Sequence, residues 1–103
     1  MVAGIIVAGG SGVRIGGSIP KQFKKINGKE IYSFSIDRFL ESKNIDLVIF
    51  VSHPDWKNHV INKYPNIIVC NGGNTRRESV TNGLFECSDT IKKVLIHDAA
   101  RPF

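Results

Sequence analysis

The chain contains few cysteines and no long apolar run. Cys70 and Cys87 are its two cysteines, and neither lies in a CxxC pair or a Cys/His metal-ligand spacing, which argues against a disulfide framework and a structural zinc site. No apolar stretch is long enough to cross a bilayer, and no charged-then-apolar leader begins the sequence. We therefore expect a cytoplasmic protein with two reduced thiols and no membrane partner.

A concentrated block of positive charge is also missing. The formal net charge is +5, from 14 Lys and Arg against 9 Asp and Glu, but no run of Lys or Arg is longer than two residues. Aromatic residues do not interleave with these cations, so the pattern argues against a nucleic-acid partner. A modest positive field instead suits small anionic substrates, because it concentrates phosphates near a cleft.

Two common nucleotide-binding signatures are absent. A Walker A loop would end in Gly-Lys-Ser/Thr, but Gly12 is followed by Val13 and Arg14. A dinucleotide fingerprint would need a third glycine where Ile15 stands, and an acidic residue near the end of the second strand, which instead reads Val51-Ser52-His53. These two modes of nucleotide binding are therefore excluded.

A glycine-rich segment follows the first apolar run, at residues 8–17. Glycines let the backbone present its N–H groups without obstruction, and this segment carries Arg14 and leads into Pro20-Lys21-Gln22. Backbone donors and two cations together suit a triphosphate. A flexible surface loop is the alternative for the glycines alone, and Arg14 with the Pro20-Lys21-Gln22 corner favours the phosphate site.

Short apolar runs alternate with helical patterns along the chain. The apolar runs predict strands at residues 3–7, 47–51, 67–70 and 94–96, and apolar residues at helical spacing predict helices near residues 31–41, 56–64 and 75–87. In the third helix, Thr75 and Glu78 form a capping box, and Val80, Leu84 and Cys87 are expected to face the core. This order predicts a doubly wound, Rossmann-like parallel α/β sheet with helices on both faces.

Polar segments follow three of the four predicted strands. They are the glycine-rich segment, Gly72-Gly73-Asn74 after the third strand, and His97-Asp98, which we expect to stop the fourth. Ligands of such sheets bind beyond the carboxyl ends of the strands. The sequence therefore predicts a phosphate or nucleotide site where these segments converge.

Four blocks of sequence together resemble the cytidylyltransferases of sugar-alcohol phosphates, best represented by the 2-C-methyl-D-erythritol 4-phosphate cytidylyltransferase family. The blocks lie at residues 8–14, 20–23, 72–80 and 97–102. The resemblance spans nearly the whole chain, and it implies a sheet of the nucleotide-diphospho-sugar transferase type. It also implies an enzyme of the non-mevalonate isoprenoid pathway that moves CMP from CTP to 2-C-methyl-D-erythritol 4-phosphate and releases pyrophosphate.

The resemblance assigns roles to individual residues. Arg14 and Lys21 would be catalytic, because positive charge stabilises the crowded phosphates in the transition state. Asp98 would hold Mg²⁺. The residues implied in binding CTP are Ala8, Gly9, Gly10, Gly12, Gly73, Asn74, Ser79 and Arg101. Asn74 departs from the family, where Asp is frequent, but its amide oxygen can still accept a hydrogen bond from a cytosine amino group.

The resemblance also implies that much of the enzyme lies outside this sequence. Proteins of the family are roughly twice as long for one domain, so residues 1–103 are expected to be the truncated, CTP-binding N-terminal part of a single cytidylyltransferase domain, inactive alone. The whole protein would be a homodimer that binds CTP and a sugar-alcohol phosphate. One alternative is a D-ribitol-5-phosphate cytidylyltransferase that makes CDP-ribitol. Another is a non-catalytic nucleotide-binding module.

Overall fold

The computed structural model describes residues 1–8 and 21–100, which form an α/β fold around one parallel sheet. The strands are β1 (Val2–Val7), β2 (Lys25–Ile26), β3 (Lys29–Glu30), β4 (Leu47–Ser52), β5 (Ile68–Asn71) and β6 (Lys93–Asp98). The helices are α1 (Ile31–Glu41), α2 (Lys57–Lys63) and α3 (Arg76–Phe85), with 3₁₀ turns at Lys21–Phe23 and Pro54–Trp56. Within these residues, no helix has the length and hydropathy that a bilayer crossing requires.

The order of the parallel strands is β5-β4-β1-β6. The chain moves outward from β1 to β4 and β5, and then returns to place β6 on the other side of β1. The strand order reverses at this point, and the crevice between the carboxyl ends of β1 and β6 is therefore where ligands of doubly wound sheets bind. The predicted parallel sheet is confirmed, and its switch point lies between β1 and β6.

Helices cover both faces of the sheet. On one face, α1 and α2 pack over a cluster that includes Ile6, Phe50 and Val60, all fully buried. On the other, α3 lies over Ile5, Val7, Ile49 and Val51. Alternate residues of β1 therefore face opposite layers, as period-two side-chain alternation requires. Burying each large aliphatic side chain contributes about 2 kcal/mol, so β1 and β4 hold the two layers together.

The core-facing stripe of α3 differs from the prediction at one position. Val80 and Cys87 pack against the Ile5 cluster as predicted, but Leu84 is 43% exposed. The residues that α3 buries are Ser79 and Gly83, which lie one turn apart. Leu84 follows Gly83 and is therefore turned about 100° away from the sheet. The expectation that Leu84 faces the core was wrong. The closest contact between α3 and the sheet is made by Gly83, and Leu84 therefore points away from the sheet.

β6 is longer than the sequence indicated. His97 and Asp98 were expected to stop this strand, but they belong to it, and their backbones pair with Ile6 and Val7 of β1. The ring of His97 lies 5.8 Å from the ring of Phe39 in α1. A polar residue can continue a strand when the neighbouring strand supplies its backbone partners, and here β1 does so.

Candidate functional site

The switch point is built by the ends of three neighbouring strands. Val7 and Asp98 are register partners at the ends of β1 and β6, and the N–H of Ala99 donates to the Val7 carbonyl at 3.0 Å. On the other side, the N–H of Ala8 donates to the Val51 carbonyl of β4 at 2.7 Å. Ala8, where the glycine-rich segment begins, is therefore tied to β4 while Asp98 stands beside the same end of β1.

Lys21 lies next to this edge. It begins the 3₁₀ turn Lys21–Phe23 and is exposed. The following residue, Gln22, is half-buried, and its Nε2 donates to the Ala8 carbonyl oxygen at 2.8 Å. The turn that carries the predicted catalytic cation is thus joined to the residue where the predicted phosphate loop starts.

An aromatic cluster holds the other side of the same turn. Phe23 is 3% exposed, and its ring stacks on Trp56 with centroids 4.3 Å apart and an interplanar angle of 10°. It is also tilted against Tyr32, with centroids 5.2 Å apart. Such ring pairs contribute about 0.5–1.5 kcal/mol beyond their buried area. Phe23 therefore fixes the turn to the layer formed by α1 and α2.

Gly73 and Ser79 form a second part of the site, where β5 leads into α3. Ser79 is fully buried, and its Oγ accepts from the Gly73 N–H at 3.1 Å. A Cβ on Gly73 would overlap the Cβ of Glu78, so the close approach requires glycine. The N–H of Gly72 donates to the Ser52 carbonyl at 2.8 Å, which directs the loop over the end of β4. Asn74 is exposed beside this pair.

The predicted start of α3 at Thr75 is confirmed, and the N-cap half of the predicted capping box is formed. Thr75 is the N-cap, and its Oγ1 accepts from the Glu78 N–H at 3.1 Å while it donates to the Glu78 carboxylate at 3.3 Å. This cap starts α3 directly after Asn74, at the carboxyl edge of the sheet. An N-terminal helix end carries partial positive charge. The local sequence therefore sets where the loop stops and the helix begins.

Asp98 has the chemistry of a single-carboxylate cation ligand. Its Oδ1 accepts from the Ala100 N–H at 2.9 Å, so the side chain is held in a turn at the end of β6. Carboxylate oxygen is the ligand type that Mg²⁺ prefers, and Mg²⁺ commonly takes only one or two carboxylates from a protein. Within residues 1–8 and 21–100 there is no cluster of three His, Cys, Asp or Glu side chains that could hold a metal. The single carboxylate of Asp98 is compatible with that coordination.

The predicted site residues thus divide into three groups. Ala8 and Asp98 lie at the switch point, where the turn that begins at Lys21 is bonded to Ala8, and Gly73, Asn74 and Ser79 lie together at the end of β5. Because neighbouring strands lie about 4.8 Å apart, a ligand that touches both groups must extend about 10 Å. The remaining residues lie outside the part of the chain that the structure describes: Gly9, Gly10, Gly12, Arg14 and Arg101.

Sequence reasoning did not assign a role to Gln22, although it noted the corner that contains this residue. It also missed the buried Glu30, whose carboxylate oxygens lie 2.8 Å and 3.0 Å from Nε2 of His59. The sequence signal that could have pointed to Gln22 is its position, because it places an amide side chain directly after Lys21. Nothing in the sequence pointed from Glu30 to His59, because the two residues are 29 positions apart.

Cys70 is not arranged as a nucleophile. Cys70 and Cys87 are free and half-buried, as expected. Burial, with a smaller contribution from the Glu86 carboxylate, raises the pKa of the Cys70 thiol to about 11. The thiolate is the nucleophilic form, so Cys70 acts as part of the layer under α3.

Comparison with known proteins identifies one family. Residues 2–103 match the family model described as IspD, 2-C-methyl-D-erythritol 4-phosphate cytidylyltransferase. The 2-C-methyl-D-erythritol 4-phosphate cytidylyltransferase of Petrotoga mobilis is 41% identical over 112 residues, covering 100% of this chain and 48% of the relative. That of Clostridioides difficile strain 630 is 43% identical over 109 residues, covering 100% of this chain and 46% of the relative.

A solved structure has the same fold. The crystal structure of 4-diphosphocytidyl-2C-methyl-D-erythritol synthase from Anaerococcus prevotii aligns with a TM-score of 0.81 at 30% identity, covering 99% of this chain and 44% of that one. The chain therefore spans about half the length of the relatives it matches.

Proposed function

Because its residues 2–103 match the family model, the chain belongs to the 2-C-methyl-D-erythritol 4-phosphate cytidylyltransferase family, and we propose that it forms the CTP-binding part of such an enzyme. The enzyme would transfer CMP from CTP to 2-C-methyl-D-erythritol 4-phosphate. The observation that carries this proposal is the meeting of Ala8, the Lys21 turn and Asp98 at the switch point. The family resemblance supports the same activity, a cytoplasmic location and a homodimer for the whole protein.

The reaction needs positioning and positive charge more than covalent chemistry. A phosphate oxygen of the acceptor would attack the α-phosphorus of CTP in line, forming one P–O bond while the bond to the bridging oxygen breaks and pyrophosphate leaves. Lys21, together with Arg14, would stabilise the charge that develops on these oxygens. Asp98 would hold Mg²⁺, which when bound supplies further positive charge to the phosphates.

The Gly73–Ser79 pair is suited to the nucleobase. Its loop lies about 10 Å from β1, across β4, which is compatible with a base and a phosphate group at opposite ends of one nucleotide. Asn74, exposed beside Gly73, offers both an amide donor and an amide acceptor. We propose that these residues select cytosine over purines.

The test is pyrophosphate release from the four nucleoside triphosphates, with 2-C-methyl-D-erythritol 4-phosphate or ribitol 5-phosphate as acceptor. It uses the complete natural polypeptide that carries this sequence. We expect turnover with CTP and methylerythritol phosphate. Turnover with ribitol phosphate alone would favour the alternative acceptor, and CTP binding without product from either acceptor would favour a non-catalytic module. Equal rates with CTP and ATP would contradict cytosine selection.

Substitutions test the residue roles in the same assay. Lys21→Ala should lower kcat by about 100- to 1,000-fold, because it removes charge that acts on the transition state. The matched control is Lys43→Ala, since Lys43 is also an exposed lysine and follows α1 at the opposite edge of the sheet. Asp98→Asn should raise the Mg²⁺ concentration needed for half-maximal turnover. Normal kcat in Lys21→Ala would contradict its catalytic role.

A further inference from the structure

The hydrogen bond from Gln22 connects the Lys21–Phe23 turn to the central strand of the sheet. Ala8 is itself fixed, because its N–H donates to the Val51 carbonyl of β4. Its carbonyl oxygen accepts from Gln22 Nε2 at 2.8 Å, a distance typical of a well-formed amide hydrogen bond. The hydrogen bond of the Gln22 side chain thus sets the distance between the turn and the end of β1.

The turn has a second anchor of a different kind. Phe23 holds it to the aromatic cluster of α1 and α2, on one face of the sheet. That contact fixes the turn to a helical layer through ring packing. The Gln22 amide adds a directional bond to β1 itself. Because Lys21 directly precedes Gln22, both anchors together determine where the Lys21 backbone stands relative to the switch point.

We propose that Gln22 is a positioning residue for Lys21. By holding the turn against the Ala8 carbonyl, it keeps the Lys21 ammonium within reach of the phosphates of a nucleoside triphosphate bound at the switch point. The inference rests on the proposed function, since it assigns to Gln22 an effect that acts through the cation. Misplacing a catalytic group by about 1 Å can lower a rate about 100-fold, so the contribution of this single bond is measurable.

The test is a double-mutant cycle in the complete natural polypeptide. Gln22→Met keeps the length of the side chain but removes the donor, and Gln22→Glu keeps its shape and replaces the donor with an acceptor. We expect each to lower kcat about 10- to 100-fold with the KM for CTP changed less than about threefold. In a Lys21→Ala background, either Gln22 substitution should change kcat by less than about twofold, because the group it positions is gone.

A matched control separates positioning from general stability. Asp46→Ala removes another side-chain-to-backbone hydrogen bond at β1, the 2.7 Å bond from the Val2 N–H at the opposite end of the strand. We expect it to lower the unfolding temperature at least as much as the Gln22 substitutions while kcat stays near that of the wild type.

Each outcome decides the inference. Full kcat in both Gln22 variants of an active enzyme would overturn it, and so would additive losses in the Lys21→Ala background. A wild-type polypeptide that makes no product from CTP and either acceptor would overturn the proposed function and this inference with it. The inference would be supported if the Gln22 substitutions lower kcat in the wild-type background and leave kcat unchanged in the Lys21→Ala background.

Discussion

At the scale of single residues, Gly83 sets the distance between α3 and the sheet. A Cβ at this position would lie 2.9 Å from the Cγ2 atoms of both Ile5 and Val51. Glycine inside a helix costs about 1 kcal/mol relative to alanine. The close contact with two buried strands outweighs this cost, because it lets α3 cover the Ile5 cluster at short range.

Gly83→Ala is therefore expected to destabilise the protein, although the same change at an open helix position would stabilise it. Overpacking against Ile5 and Val51 should lower the free energy of unfolding by about 1–3 kcal/mol. Urea denaturation at constant m-value measures the difference. The control is Thr81→Ala, an exposed position on the same helix, which should change stability by less than about 0.5 kcal/mol. A Gly83→Ala protein as stable as the wild type would mean that α3 can move away freely.

At the scale of elements, a polar seam joins α1 to α2. Three contacts form it: His59 to Glu30 at 2.8 Å, Lys63 to the Ser33 hydroxyl at 3.0 Å, and the Tyr64 hydroxyl to Asp37 at 2.7 Å. The first partner of each pair lies on α2 or, for Tyr64, at its C-cap, and the second lies on or immediately before α1. On the α1 side, the partners Glu30, Ser33 and Asp37 are spaced three and four residues apart, so they lie along one face of the helix. The seam orients α1 and α2 over the aromatic cluster that anchors Phe23.

The seam predicts a dependence of stability on pH. Burial alone would raise the pKa of Asp37, but hydrogen bonds from Lys29 and Tyr64 outweigh it and hold that pKa below its usual value. A folded-state pKa below the unfolded one means that Asp37 stabilises the fold above about pH 4 and that this contribution is lost as the pH falls further. Unfolding free energies at pH 6 and pH 3 should therefore differ less in Asp37→Asn than in the wild type.

The control for this experiment is Asp89→Asn, an exposed carboxylate in the turn after α3. It should keep the full difference in stability between the two pH values. A loss of stability on acidification that is as large in Asp37→Asn as in the wild type would contradict the assignment.

At the alkaline end of the pH range, burial and the neighbouring Asp37 raise the pKa of Tyr64 to about 12. The contribution of Tyr64 to the stability of the fold is therefore lost as the pH rises from about 10 toward 12.

At the scale of the whole molecule, β6 is an edge strand with apolar residues on both faces. It pairs with β1 on one side and ends the described sheet on the other. Leu95 and Ile96 are 40% and 45% exposed and point to opposite faces. Exposed, apolar edge strands favour pairing with another chain segment. Among residues 1–8 and 21–100, the outer side of β6 is therefore an uncovered apolar edge.

We expect the isolated 103-residue chain to associate in solution through β6. Sedimentation velocity over a range of concentrations should show species larger than the monomer. Ile96→Lys should weaken this association at least about tenfold, because it places a charge on the edge. The control is Ile61→Lys, which changes an exposed isoleucine on α2 away from β6, and it should leave the association unchanged. A monomeric wild-type chain would contradict the prediction.

Local signals predicted most of the elements correctly. The uninterrupted apolar run at residues 47–51 became the buried strand β4, and Thr75 with Glu78 marked the start of α3. The Asn27-Gly28 turn joins β2 to β3 with positive φ at both residues, which is the backbone that this dipeptide favours in a two-residue hairpin loop. These features depend on neighbours in sequence, so a single sequence contains the information.

The errors and omissions depend on distant partners. Leu84 carries the periodicity of a core residue, but the fit of Gly83 against Ile5 turned the helix so that Leu84 is exposed. His97 and Asp98 look like the end of a strand, but β1 extends their pairing. Glu30 and His59 gave no local signal. Each outcome follows from packing or pairing between segments that the sequence alone does not bring together.

The sequence by itself determined the alternation of strands and helices and the four motif blocks that indicate the family. It also determined that polar, glycine-bearing segments follow the strands, because these properties are local in composition and spacing. Only the tertiary structure decided the strand order β5-β4-β1-β6, which puts Asp98 beside the end of β1. It likewise decided that Gln22 holds the Lys21 turn to Ala8, since a hydrogen bond between residues 14 positions apart exists only once the chain has folded to bring them together.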